Sequence, residues 1–336
     1  MSYISEQLKG KKVLVTGATG FIGGRLAQRL AVEEHAVVTG LGRSLDKAPF
    51  LQEAEVALKQ VDLQDETAMK GVIAEQDYIF HVAAWLGGGR VADAQQEAYA
   101  LNVTATENIL FWAKEADVQR IIVVSTIGAY GIPTTTHVAE DTPLDIEQAD
   151  TYGRTKAIGE LKARELAQDL GIELTIVRPA LVYGPRSKSW TVNMLQLVQK
   201  GTPVIFGDGN GLAMPVFIDN LIDGMLLTAV SPNAVGEAFN FCDPQISWKQ
   251  FFGYYGKMCG QKPRQMPLLA ARLLAIANRI LKLGLPLNKA RLSFLTQKAV
   301  YPTAKAEKLL GYTPRVQIDV GMMQAEQWLR EEGYLE

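Results

Sequence analysis

Tyr152 and Lys156 stand four residues apart in the stretch TYGRTK. On a helix, positions i and i+4 share one face, so the phenol and the ammonium would project together. A phenol normally titrates near ~10, too high for a base at neutral pH. A neighbouring cation favours the phenolate and lowers that value. The pair therefore has the chemistry of a proton-transfer group with its tuning charge. A chain of 336 residues also contains such spacings by chance. Taken alone, the pair reads as two wet surface residues, and only the elements around it can decide.

Those elements alternate. KKVLVTG at 11–17, AVVTGLG at 36–42, VALKQVD at 56–62, YIFHVAA at 78–84 and RIIVVST at 120–126 are short apolar runs that predict strands. Helical spacing fills 65–75, about 92–116 and 152–170. Strand and helix in alternation predict an α/β fold, a doubly wound parallel sheet with helices on both faces. Such sheets bind ligands outside the carboxyl ends of their strands. The first strand runs into Gly17, Gly20 and Gly23, spaced Gly-x-x-Gly-x-x-Gly, which open a helix. Glycines there let the backbone approach a pyrophosphate, and the helix offers its N-terminal amides to the negative charge.

VTGATGFIGG resembles the glycine turn of the extended short-chain dehydrogenase/reductase family, also called the epimerase/dehydratase family. TYGRTK matches its catalytic Tyr-x-x-x-Lys, and VDLQD, HVAAW, LNVTATENIL, VVSTIGAYG, VRPALVYGPR, VFIDNL and LLGYTP follow in the family's order. The resemblance implies a Rossmann domain over 1–178, with 217–241 returning to it, and a smaller, mostly helical substrate lobe over 179–216 and 242–336. It implies a cofactor cradle of Gly17, Thr19, Gly20, Phe21, Ile22 and Gly23, an adenine site at Asp62 and Leu63, and further cofactor contacts at Ala83, Ala84, Asn102, Pro179 and Val182. Tyr152 becomes the proton-transfer residue, and Lys156 lowers its pKa and holds the nicotinamide ribose. A hydroxyl polarises the carbonyl oxygen: Thr126 by its spacing from Tyr130-Gly131, with Ser125 as the alternative. Trp85, Thr126, Tyr183 and Arg186 are the expected substrate contacts.

The second predicted strand ends GLGRS, with Arg43 and Ser44 where NAD enzymes carry an acid. An arginine there can accept the 2′-phosphate of NADP, so NADP(H) is expected ahead of NAD(H). Nucleotide-sugar relatives carry an arginine before their Val-Asp-Asp motif; LAMPVFIDNL has none. The C-terminal pattern, with PLLAARLLAIANRILKLGLPL, instead looks like the 3β-hydroxysteroid dehydrogenase-like branch. The leading expectation is an NADP-dependent oxidoreductase acting on a fairly apolar ketone or secondary alcohol. A nucleotide-sugar epimerase and a catalytically silent nucleotide sensor or scaffold are the alternatives.

Composition bounds the rest. Net charge is −2, with no general attraction to nucleic acid. Two cysteines, Cys242 and Cys259, and three scattered histidines show neither a disulfide scaffold nor metal-ligand spacing. No signal sequence or spanning run is visible, and a cytoplasmic protein is expected. The charge is uneven: residues 244–306 hold no Asp or Glu but eleven Lys and Arg, leaving −13 for the remainder. Within that stretch, a helix over 267–284 places Arg272, Arg279 and Lys282 on one edge. The reading preferred here is a cap packed on the substrate lobe. Peripheral contact with an anionic membrane comes second, and guidance of an anionic substrate third. Helices 92–116 and 152–170 are candidates for pairing in a homodimer.

Overall fold

The computed structural model describes residues 3–87, 93–281, 283, 285 and 287–336. Seven strands, β1 (Lys12–Thr16), β2 (Val37–Gly42), β3 (Ala57–Gln60), β4 (Tyr78–His81), β5 (Arg120–Val124), β6 (Leu174–Pro179) and β7 (Ala238–Phe241), form one sheet in the order β7-β6-β5-β4-β1-β2-β3. Every pairing in it is parallel. The central strands read as continuous apolar runs because parallel sheets are covered on both faces.

Alternation along each strand assigns the two faces. Val13, Val15, Phe80, Ile122 and Val177 join a core with Leu26 and Leu30 of α1 (Phe21–Val32) and with a later helix. Leu14, Ile79, Ile121 and Ile176 join the opposite core. There they meet Met69 of α2 (Glu66–Ile73), Ile109 of α3 (Ala105–Glu115) and Ala163 of α4 (Thr151–Leu170). The later helix on the first face is α5 (Ile218–Val230), through Leu221 and Leu226. The order reverses between β1 and β4, and the crevice at their carboxyl ends is the ligand position of such sheets.

The helix expected over 92–116 is interrupted. Residue 92 lies outside the described residues; helix resumes at Ala94–Tyr99, widens into a π-helical turn over Ala100–Thr104, and continues as α3. The cause is close crossing with α4. A Cβ on Gly159 would stand 2.1 Å from the Asn102 carbonyl oxygen, so only glycine fits there.

The second half builds a smaller lobe of short strand pairs and helices. Leu181–Tyr183 pairs with Pro215–Phe217, and Ile205–Phe206 with Gln265–Met266. Its helices include α6 (Trp248–Met258), α7 (Leu268–Leu281), α8 (Lys289–Thr296) and α9 (Ile318–Glu331). α6 begins with a capping box, Ser247 and Gln250 bonding each other's backbone amides. No helix among the described residues is long and apolar enough to cross a membrane.

α7 is not the fully packed cap that its apolar surface suggested. It docks through small residues, Ala271 and Ala275, while Leu269, Leu273, Ile276 and Ile280 stand 70%, 60%, 51% and 67% exposed. Hydrophobicity marks two faces of this helix as apolar, and only the alanine face is flat enough for close approach. Lys282 lies outside the described residues.

Candidate active site

The cleft at the sheet's carboxyl edge measures about 1420 Å³, ample for a dinucleotide with a substrate beside it. Gly17, Thr19, Gly20, Phe21, Ile22 and Gly23 form its floor at the start of α1. Gly17 adopts φ +69°, and a Cβ on Gly23 would stand 2.3 Å from the Gly17 carbonyl oxygen. No side chain caps α1 at Gly20, so its first-turn amides face the cleft floor unclaimed by a capping group. This is a cradle built for a phosphate. Arg43 and Ser44, just past β2, line the cleft with Asp62 and Leu63. Asp62 accepts the Gln64 amide at 3.0 Å. Ala83 and Ala84 line it too, on the chain leaving β4, where Thr16 Oγ1 accepts the amides of Val82 and Ala83 at 3.1 Å each. Pro179 and Val182 complete the far wall.

Tyr152 and Lys156 enter from the first turns of α4. Asp150 caps that helix, accepting the Gly153 amide at 2.7 Å. Ser125 and Thr126 follow β5 into the same cleft. Thr126 Oγ1 accepts the Gly128 amide at 3.1 Å, and the Thr126 side chain favours the ionised form of Tyr152. The Ser125 hydroxyl is buried with no partner. Lys156 is buried and donates through Nζ to the Val124 carbonyl.

The expected lowering of the Tyr152 pKa by Lys156 does not hold here. Burial pushes the phenol up to about 12, the Thr126 side chain acts against this, and Asp150 adds to it. Burial also presses Lys156 down to about 8, with Glu160 opposing. Both groups are driven toward their neutral forms, because desolvation is the largest influence on each. The chain fits a nicotinamide dinucleotide: a glycine cradle, two acid/base groups and an orphan hydroxyl share one cleft.

Three expected contacts do not line this cleft. Tyr183 is wholly buried; its ring packs on Phe217 and Phe251, with centroids 5.4 Å and 6.3 Å away, and its hydroxyl has no partner. Asn102 is buried behind the wall. Its Oδ1 accepts the Trp85 amide at 2.8 Å, and its Nδ2 donates to Thr155 Oγ1 at 3.0 Å. Asn102 thus pins the segment after β4 to α4. Trp85 is half-buried in that pinned segment. Arg186 does line the cleft, stacked over Phe50 at 3.6 Å.

Other polar residues around the site are structural. His81 sits between Thr16 at 2.9 Å and Thr106 at 3.1 Å. Burial first, and Lys156 second, hold its pKa down to about 3. Arg178 and Glu160 form a fully buried ion pair, with Arg178 also donating to the Tyr130 hydroxyl at 2.5 Å. Among the described residues no group of His, Cys, Asp or Glu is arranged to hold a metal ion. The sequence reading missed a second pocket of about 310 Å³ in the smaller lobe, walled by Trp190, Phe206, Trp248, Phe252 and Phe294 with Arg291. Its aromatics come from distant segments, and only their density around 248–255 hinted at it.

The profile of the NAD dependent epimerase/dehydratase family matches residues 13–242. The chain belongs to that family. A UDP-glucose 4-epimerase from Mycolicibacterium smegmatis is 31% identical over 242 residues, 68% of this chain and 76% of that protein. A 3 beta-hydroxysteroid dehydrogenase/Delta 5-->4-isomerase from Mycobacterium tuberculosis is 29% identical over 325 residues, 90% of this chain and 86% of that one. Among solved structures, UDP-glucuronic acid 4-epimerase from Bacillus cereus in complex with NAD superposes with a TM-score of 0.78 at 23% identity, covering 96% of this chain and 98% of that chain. Family membership makes this an enzyme of the extended short-chain dehydrogenase/reductase type. It also fits the buried Arg178–Glu160 pair to a framework role, holding β6 to α4 behind the reacting groups.

Proposed function

We propose that this chain moves a hydride between NADP(H) and a ketone or secondary alcohol on a largely apolar body. The bound nicotinamide supplies or takes the hydride at the carbinol carbon. Tyr152 gives the proton to the forming alkoxide in reduction and removes it in oxidation. Thr126, its oxygen already accepting the Gly128 amide, keeps its own proton to donate to the substrate oxygen. Ser125 is the second hydroxyl in reach of the cleft. Lys156 is the residue for the nicotinamide ribose. NADP is preferred because Arg43, exposed at the cleft edge, forms no ion pair with a carboxylate among the described residues.

The observation that carries the substrate class is an apolar section of the cleft wall. Met214, Trp190 and Phe294 line the cleft, and Trp190 and Phe294 continue it into the aromatic pocket. The steroid-dehydrogenase match also extends over more of this chain than the UDP-glucose epimerase match does. Nucleotide-sugar epimerisation is the second reading, favoured by the family and by Arg186 and Arg291 in the cleft. The two separate on cofactor turnover. NADPH consumption with a panel of hydrophobic ketones supports reduction. Interconversion of UDP-sugars without net cofactor consumption supports epimerisation. Cofactor bound with neither reaction leaves a silent sensor. A second copy is proposed to pair across α3 and α4, where Phe111 and Leu161 are 47% and 44% exposed.

A further inference from the structure

Arg291 lies at the junction of two cavities. With Trp190 and Phe294 it lines both the cofactor cleft and the aromatic pocket of the smaller lobe. It is only partly exposed, and among the described residues nothing pairs with it. Its own stretch, residues 244–306, contains no Asp or Glu, and burial alone shifts its pKa, with no carboxylate acting on it. Burial lowers the pKa of this guanidinium, yet an arginine stays charged in proteins. A cation withdrawn from water without a partner is costly. The Trp248 indole N–H, in a side chain of the same pocket, is likewise buried with no acceptor.

We infer that Arg291 is a substrate-specificity residue that binds an anionic group, a carboxylate or a phosphoester, on a substrate whose apolar arm fills the aromatic pocket. The pocket of about 310 Å³ is walled by rings that pack on each other, Trp248 on Phe294 at 5.5 Å and Trp190 on Phe294 at 6.4 Å. It takes an alkyl or aryl arm, and Arg291 is the cation that lines it. The reacting carbonyl then lies on the cleft side, toward Tyr152. This assignment rests on the oxidoreductase reading for the reaction, but its binding step can be measured separately.

The test uses the full chain with cofactor bound and three ten-carbon probes: decanoate, decyl phosphate and decanol. Binding is followed by tryptophan fluorescence, since Trp190 and Trp248 line the pocket. A charge-assisted contact predicts that at least one anion binds about ten-fold or more tighter than decanol. Which anion wins identifies the head group. Arg291→Met should abolish the preference while leaving decanol binding unchanged; Arg291→Gln serves if the methionine variant does not fold. Equal binding of all three probes, no binding of any, or a preference that survives loss of the arginine overturns the inference. Failure of ketone turnover would sink the reaction assigned above and leave this binding result standing.

The open face of α7 points to a second contact. We infer that it rests on an anionic bilayer. Leu269, Leu273, Ile276 and Ile280 form one stripe at helical spacing. Leu281, Leu283 and Leu285 extend it, at 66%, 49% and 41% exposure. Asn278 holds that extension in place, donating to the carbonyls of Leu285 and Leu287 at 2.8 Å and accepting the Leu285 amide at 3.0 Å. A monomer rarely exposes so continuous an apolar surface without use. Exposed Arg272 and Arg279 border the stripe, in a stretch without acids. Cations beside a shallow apolar face are what an anionic interface attracts. Phosphatidylserine-containing vesicles should pellet the full chain at low salt, with pelleting fading as salt rises, and pure phosphatidylcholine vesicles should not. Ile276→Asp with Ile280→Asp should remove pelleting without changing cofactor affinity. Absence of pelleting overturns the inference. So does concentration-dependent self-association that the same variant abolishes without any vesicle binding, since a second copy then covers the face.

Discussion

Thr126 acts on Tyr152, lowering its pKa against the effect of burial, whereas Ser125, the residue before it, lies in the same cleft wall with a buried hydroxyl that meets no partner. The two adjacent hydroxyls therefore stand in different relations to the proton-transfer group. Replacing Thr126 by Val should lower kcat by about 10²–10³, the usual effect of losing one donor to a developing oxyanion. Ser125→Ala should change kcat far less and leave stability equal or higher, because it removes an unpaired buried polar group. Steady-state rates with any accepted ketone check both. A larger loss at Ser125 than at Thr126 would reverse the assignment.

Lys156 carries a pH signature. Its folded pKa is about 8 against an ordinary 10.5, lowered by burial. Between those values the unfolded chain holds a proton that the folded chain lacks, so stability rises with pH across that window. Lys156→Met should remove this rise in urea melts run from pH 7 to pH 11. It should also cut activity by at least ~10²-fold, within the range for lost acid–base assistance, and weaken cofactor binding. An unchanged pH slope would mean that Lys156 is not desolvated as its burial implies.

Arg43→Ala should weaken NADPH binding while leaving NADH nearly untouched, since only NADPH carries the extra phosphate. A charge-assisted hydrogen bond of about 1.5–3 kcal/mol converts to roughly ten-fold or more in selectivity. Dissociation constants for both cofactors in both proteins measure this. Equal affinities in the wild type would remove the basis for the NADP preference.

Arg178→Met strands Glu160 as a buried charge and should cost about 3–5 kcal/mol in denaturant unfolding. Adding Glu160→Leu should restore much of that loss, because both members of the pair are then apolar. A loss at Arg178 below 1 kcal/mol would indicate that water reaches the pair.

The glycine turn, the order of strands and helices, and the Tyr-x-x-x-Lys pair were legible because each is local. Gly17 needs positive φ within its own turn, strand alternation fixes the two sheet faces, and α4 alone puts Tyr152 and Lys156 on one side. Tyr183 was misplaced because a three-residue strand in a small lobe gives no local sign of which side faces the core. Asn102 carries the same type of side chain whether it touches a ligand or a backbone. Only the close approach of Gly159, which bends the helix at Ala100–Thr104, turned it toward Trp85.

Sequence by itself determined the family, the cofactor turn and the residue types available for proton transfer, because these depend on neighbours within a few positions. Tertiary structure decided the energetics and the substrate side. Burial, which no local pattern measures, set the directions of the Tyr152 and Lys156 shifts. The aromatic pocket joins rings from residue 190 to residue 294 around an arginine that has no ion-pair partner among the described residues. And α7, apolar on two faces, could choose which one to bury only when its alanines met the lobe.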